Sequence, residues 1–277
     1  MRLVLLGTGG GPRPSGTRFP SSQALVIGDR VIVVDCGNGV AKQLSSAGIS
    51  PRNLSDLLLT HHHVDHSADL GYLPLISWVE GRSETIGIYG PPPTVGALES
   101  ILDGYEEDLR KRTASTGRPP FRPMLDPHDI VVPGLVFEDD DVRVTAAFVD
   151  HPPFEIALGY RIDSASGSVV VSGDTAPSPN LVDLARGADV LIHEVVHPSA
   201  ITKLQNGTNA STIADHIRRN HTMLADVGAI AEQAGVRTLV LSHLVPHDVD
   251  DGDWLAGLGG FSGRTVVGRD LLEVDIR

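Results

Sequence analysis

The segment Leu57-Leu58-Leu59-Thr60-His61-His62-His63-Val64-Asp65-His66 decides how this chain is read. Its leucines predict a buried strand that runs straight into a histidine cluster. At the end of an extended strand, residues i and i+2 point the same way, so His61 and His63 can offer two imidazoles to one ion. Asp65 and His66, just past the strand, can turn back toward a second ion nearby. Imidazole with carboxylate suits Zn²⁺ first, with Mn²⁺ or Fe²⁺ as alternatives. The competing readings are a surface histidine patch or a helix start capped by Asp65. The position of the full pattern at a strand's carboxyl end argues against both.

Working outward, the chain has 277 residues, enough to bury a sizeable core. No linker or low-complexity run divides it, so residues 1–277 are expected to form a single domain. No stretch approaches membrane-spanning length. The apolar start Leu3–Leu6 is too short for a signal peptide, so a cytoplasmic protein with no membrane contact is expected. The lone Cys36 excludes an internal disulfide and any multi-cysteine zinc site. With 22 basic and 35 acidic residues the net charge is −13, which weakens the case for a nucleic-acid partner.

Short β-branched runs predict strands at Leu3–Leu6, Ala24–Ile27 and Val31–Val34, with Gly28-Asp29 as a hairpin turn. A helix is expected from Asn38 to about Ala47, ended by Gly48. Helical periodicity marks Ser67–Val79 and Thr94–Arg110, with strand Ile86–Tyr89 between them. Thr113–His128, rich in Pro, Arg and Gly, reads as a long loop; Arg118, Phe121 and Arg122 make it a candidate lid over an anionic substrate. Strands follow at Val142–Val149, Ile156–Ile162 and Val169–Ser172, with Glu138–Asp141 as a solvated turn. Then come helix Leu181–Arg186 with strand Val190–Ile192, helix Leu224–Ala234 with strand Thr238–Leu241, and one or two closing strands in Gly263–Ile276. Each half runs from several strands into βα units, which predicts an α/β, four-layer αββα sandwich of two sheets packed face to face.

The H-x-H-x-D-H pattern, a downstream Ser172-Gly173-Asp174-Thr175 and a late Leu241-Ser242-His243 resemble the metallo-β-lactamase superfamily of hydrolases over nearly the whole chain. The resemblance implies the same αββα fold with a two-metal site at one edge of the sheets. It implies His61, His63 and His151 as ligands of one ion, Asp65, His66 and His243 as ligands of the other, and Asp174 bridging both. A water held between two such ions loses a proton near neutral pH, and Asp65 is also a candidate to handle that proton. The zinc β-lactamases have a cysteine where this chain has Asp174, which argues against β-lactam opening. Asn220-His221-Thr222 and Ile192-His193-Glu194 resemble elements of the ribonuclease Z, phosphodiesterase and arylsulfatase branch. That implies His221 as the acid that protonates the leaving oxygen, oriented by Glu194.

His193-Glu194-Val195-Val196-His197 also spells H-E-x-x-H, which holds zinc only on a helix. Here it follows a strand pattern and precedes Pro198, which forbids helix continuation. A strand would part the two histidines by about 13 Å. Gly7-Thr8-Gly9-Gly10-Gly11-Pro12 lacks the last glycine of a dinucleotide loop and reads as a tight turn near the site. Asp248–Asp253 lacks the glycine and glutamate positions of a calcium loop and reads as a solvated helix start.

The expected activity is metal-dependent hydrolysis of a small anionic ester, a phosphodiester or aryl sulfate, and the resemblance makes a homodimer plausible. A tRNA 3′-end endonuclease is the alternative. Many ribonuclease Z enzymes carry a tRNA-gripping arm between the segments matching His151 and Asp174, and here only residues 152–173 lie between them. A lactonase would share every ligand but have less use for His221 and Glu194. A non-catalytic metal-binding protein would need none of that chemistry.

Overall fold

The computed structural model describes residues 1–206 and 210–276. Strands β1 (Arg2–Gly7), β2 (Ser22–Ile27) and β3 (Arg30–Val34) form an antiparallel meander. In β3, Val31 and Val33 face one side and Ile32 and Val34 the other, and both faces are buried. A strand covered on both sides needs a near-continuous apolar run. After helix α1 (Val40–Ser46), β4 (Leu54–Leu58) joins β3 in parallel. Helices α2 (Val64–Ser67) and α3 (Tyr72–Val79), strand β5 (Ile86–Gly90), helix α4 (Thr94–Thr116) and strand β6 (Leu125–Asp129) complete the first half.

The second half repeats the plan. Strands β7 (Gly134–Glu138), β8 (Val142–Val149), β9 (Ala157–Ser164) and β10 (Gly167–Val171) are antiparallel neighbours. Helix α5 (Pro179–Ala185), strand β11 (Val190–Val196), helices α6 (Ser199–Asn206), α7 (Ile213–Asn220) and α8 (Leu224–Ala234), strand β12 (Thr238–Val245), helix α9 (Asp251–Gly257) and strand β13 (Arg264–Val267) follow. β10 through β13 pair in parallel. The last strand, β14 (Leu272–Val274), crosses back and pairs antiparallel with β1.

The described strands thus make two seven-stranded sheets, in the orders β14-β1-β2-β3-β4-β5-β6 and β13-β12-β11-β10-β9-β8-β7. One core lies between the sheets, where Leu5, Ile32 and Leu58 meet Leu158, Tyr160 and Ile192. A second joins the first sheet to α1, α3 and α4, and a third joins the other sheet to α5, α8 and α9. This is the four-layer αββα sandwich. Each fully buried Leu, Ile or Val contributes about 1.5–3 kcal/mol, so all three interfaces hold the sheets in place. No helix among the described residues is long and apolar enough to cross a membrane.

Three expectations need correction. The helix expected over Ser67–Val79 is two helices, α2 and α3, separated at Gly71. A β-carbon on Gly71 would lie 2.4 Å from Ile101 Cγ2, so glycine is what lets α4 approach there. The expected loop Thr113–His128 instead holds the end of α4, a single 3₁₀ turn over Arg122–Met124 and most of β6. Pro127 does not stop β6 because β6 is an edge strand, where a missing N–H costs no ladder bond. Nor is this segment a lid. Arg118 donates to Val79 O at 3.0 Å and lies over the Trp78 ring, Phe121 is buried against Trp78, and Arg122 pairs with Asp103 at 2.6 Å.

Candidate active site

The parallel strands β3, β4, β10, β11 and β12 present their carboxyl ends at one edge of the sandwich, where the loops after them converge. The chain leaving β4 enters that edge as Thr60-His61, both fully buried. Asp35, the residue after β3, accepts hydrogen bonds from Thr60 N at 2.8 Å, Thr60 Oγ1 at 2.9 Å and His66 Nδ1 at 2.7 Å. Because Thr60 Oγ1 donates to Asp35, it is the acceptor for His61 Nδ1 at 3.1 Å. His151, just past β8, donates from Nδ1 to the Asn220 carbonyl at 2.9 Å. Each of these three rings is therefore fixed through Nδ1, leaving the Nε2 lone pair for the centre.

Three imidazole nitrogens meet there. His63 Nδ1 lies 2.9 Å from His61 Nε2 and 3.2 Å from His151 Nε2. Asp174 Oδ2 is 3.7 Å from His61 Nε2 and 3.9 Å from His151 Nε2. The same carboxylate faces the second group, with Oδ1 3.3 Å from His66 Nε2 and Oδ2 3.3 Å from His243 Nε2. Asp65 Oδ2 closes that group, 3.6 Å from His66 Nε2 and 3.4 Å from His243 Nε2. Tetrahedral ligation at 2.0–2.1 Å places donor atoms about 3.3 Å apart, so the donor spacings fit two ions. His66 Nε2 and Asp174 Oδ1 are buried without a hydrogen-bond partner, as donors reserved for a cation would be. All seven residues expected from the sequence are brought together: His61, His63 and His151 group with Asp174, Asp65 groups with His66 and His243, and Asp174 also groups with His243, Glu194 and His221.

The electrostatics of the first group agree; in the second, burial would lower His66, but the Asp174 and Asp35 carboxylates prevail and raise it well above the usual imidazole range, so a cation must displace its proton. Burial holds His61 well below the usual imidazole range, lowers His63 and brings His151 to about 4, so these rings are neutral and able to ligate. Burial pushes the Asp65 carboxyl up, but its hydrogen bond to His243 and the nearby His66 outweigh that and hold it at about 2. Glu194 and His221 form a buried pair beside Asp174 and His243. His221 Nδ1 donates to both Glu194 oxygens at 2.9–3.0 Å, and Thr175 N donates to Oε1 at 2.6 Å. Burial alone would lower His221, but the Glu194 carboxylate prevails and raises it to about 9. Its Nδ1 lies 4.0 Å from Asp174 Oδ2, so the pair borders the donor groups.

One ligand-like residue depends on an irregularity. β11 and β12 pair Glu194 with Ser242 and Val195 with Leu244, so His243 is the unpaired extra residue of a β-bulge. Its φ of 45° is in the left-handed region. Bulges re-aim side chains, and this one turns His243 to the site against the Gly7–Pro12 turn. Gly10 passes so close that a β-carbon would lie 2.7 Å from His243 Nδ1 and 2.5 Å from Val245 Cγ2.

The H-E-x-x-H histidines diverge as expected of a strand. His193 is buried within β11, while His197 packs on Trp254 and bonds Ser199 Oγ at 2.8 Å. His62 anchors elsewhere, bonding the Pro91 carbonyl at 2.9 Å. Sequence reasoning missed Asp35 and Thr60, which fix His66 and His61. The available signal was an aspartate placed directly after the buried Val31–Val34. Outer partners of metal-binding histidines change affinity by about 10–100-fold. Asp35→Asn is therefore expected to weaken metal retention by that factor in a chelator competition, and unchanged retention would show that Asp35 serves only folding.

A fold that opens both sheets onto one edge of histidines and carboxylates is that of a class of metal-dependent hydrolases. The chain belongs to the metallo-beta-lactamase superfamily, whose family model matches residues 16–243. It is a metal-dependent hydrolase acting on ester bonds. It is 34% identical over 282 residues to a protein named ribonuclease Z from Mycobacterium bovis (strain BCG / Pasteur 1173P2), covering 100% of this chain and 98% of that one. A protein of the same name from Mycobacterium marinum (strain ATCC BAA-535 / M) is 33% identical over 282 residues, covering 100% and 99%. Among solved structures, human tRNase Z, short form (ELAC1), superposes with a TM-score of 0.72 at 20% identity, covering 100% of both chains. The metallo-beta-lactamase fold protein YhfI from Bacillus subtilis gives 0.72 at 22% identity, covering 99% and 98%.

Proposed function

We propose that this protein is a phosphodiesterase of the ribonuclease Z type, cleaving RNA near a 3′ end. The observation that carries this reading is the full-length likeness to proteins named ribonuclease Z, with the His221–Glu194 pair beside the donor groups. The charge argument against nucleic acid yields to it. A net charge of −13 opposes a polyanion at long range, but bound divalent ions reverse the sign at the site itself.

His61, His63 and His151 would hold one ion, Asp65, His66 and His243 the other, and Asp174 would be shared. This donor set suits zinc best, then manganese or iron(II). Two divalent ions there supply an activated water and neutralise charge on the ester. The side chains do the rest. Asp65, whose carboxyl is held at about 2 and is therefore ionised at neutral pH, would accept a hydrogen bond from the attacking water. His221, raised to about 9 by Glu194 in the metal-free protein, would give its proton to the departing oxygen, with Glu194 keeping it charged and aimed.

This gives a pH prediction. His221 is raised by Glu194, so the competent acid is present below the raised value and lost as pH climbs through it. Glu194→Gln removes the raising charge and is expected to move the alkaline limb of kcat to lower pH. An unmoved limb would remove Glu194 from this role.

A second reading, a small phosphodiester or aryl sulfate as natural substrate, is favoured by the connection after His151. Residues 152–173 hold β9, a tight turn and β10, with no room for an arm. One experiment separates the readings: zinc-loaded protein with a 3′-extended tRNA, bis(p-nitrophenyl) phosphate, p-nitrophenyl sulfate and a lactone in parallel. Trimming of the tRNA at low enzyme concentration supports the first reading. Turnover of small esters with an untouched tRNA selects the second, and lactone turnover alone sinks both.

A further inference from the structure

A cleft of about 600 Å³ opens beside the donor groups, and His221 lies on its wall. His221 is the residue that ends α7, and its N–H still bonds the Ile217 carbonyl at 3.2 Å. Ile217 and Ile213 precede it by four and eight residues, the spacing that places helix residues on one face. Both isoleucines line the cleft, as do Val245, the last residue of β12, and Pro246 after it. Ile217 and Val245 belong to a small apolar cluster with Val196, Ala200 and Ile201, and Ile213 packs at its edge. Lys203 and Asp248 also line the cleft but neutralise each other, with both carboxylate oxygens 2.7 Å from Lys203 Nζ. Arg13, between β1 and β2, and His216 on α7 are its other polar lining residues apart from the donor groups and His247.

The proton donor thus continues the apolar stripe of the two isoleucines, one and two turns along α7. We propose that the group leaving on the oxygen protonated by His221 packs along Ile213 and Ile217, so that the enzyme selects esters whose leaving alcohol carries an uncharged ring. This rests on the phosphodiester reading and names the substrate feature it selects. Water's oxygen bonds phosphorus and its proton passes by way of Asp65 to solvent, the bond from phosphorus to the leaving oxygen breaks with its electron pair on that oxygen, and His221 supplies the proton that this oxygen takes up. The ring could be an aryl group or the base of a departing nucleoside; the cleft offers both the same apolar face. Burying such a face against leaving it in water is worth about tenfold to a hundredfold.

The test uses the zinc-loaded protein and methyl phosphodiesters. Phenyl and hexafluoroisopropyl leaving groups have alcohols of similar acidity, and only the first has a ring. The phenyl ester is expected to show about tenfold to hundredfold higher kcat/KM, and a 4-carboxyphenyl ester should lose that advantage. A nucleoside 3′-O leaving group compared with its abasic ribose analogue shows whether a base can occupy the same place. Ile213→Asn should shrink the phenyl preference. Ile217→Ala provides a second variant should the first unfold, checked by thermal denaturation. Equal rates for phenyl and hexafluoroisopropyl esters, or faster turnover of the carboxyphenyl ester, overturn the stripe while leaving phosphodiester hydrolysis intact. No turnover of any phosphodiester overturns that reading and the stripe with it.

Discussion

His221→Ala is expected to lower turnover by about a hundredfold to ten-thousandfold while bound metal stays unchanged. The argument is geometric. His221 directs Nδ1 at both Glu194 oxygens, so that nitrogen is engaged and the other is left to meet the substrate. The ring sits beside the shared Asp174 and lines the cleft that we assign to the leaving group. A general acid matters most when the leaving oxygen is basic, so the loss should be large for alkyl esters and small for p-nitrophenyl esters. Asp174, Glu194, His221 and His243 also come close enough together to hold an ion, which is the competing role. Metal analysis decides between them. If the variant loses one equivalent of metal together with its activity, His221 is a ligand and the acid must be found elsewhere.

How much of this was legible in the sequence follows from what each residue answers to. The strand-end histidines could be read because strand period and ligand spacing coincide at His61 and His63. The rejection of H-E-x-x-H could be read because Pro198 is incompatible with the required helix, and His193 and His197 do part. The sandwich followed from meanders feeding βα units, except that β14 returns to the first sheet, a long-range pairing with no local signal. Edge strand β6 reads as loop and β7 goes unassigned because half-exposed strands tolerate Pro127, Gly134 and Glu138, which mark turns elsewhere. The sequence offered no sign of how His243 is aimed. Its bulge is set by the register between β11 and β12, and its positive φ, like the 59° of Asp35, is held by the surrounding fold.

Asp174→Ala is expected to be the most damaging single change, lowering activity on the order of a thousandfold or more. One carboxylate faces His61 and His151 on one side and His66 and His243 on the other, so its removal should cost both ions affinity. A readout independent of turnover follows by mass action: a metal that binds only the folded protein stabilises it by about 2.7 kcal/mol at a hundred times its dissociation constant. Zinc should therefore raise the wild-type melting temperature, and much less so in the variant. Without metal the carboxylate has another role. Burial pushes its proton affinity up, but His243 and His66 prevail and hold it well below the usual range. With that sign, Asp174 stabilises the metal-free fold above the ordinary carboxylate pKa, and the contribution fades as pH falls toward the lowered value. The metal-free variant should therefore melt below the metal-free wild type at neutral pH, with the gap closing in acid. If zinc raises both melting temperatures equally, Asp174 is not shared between the ions.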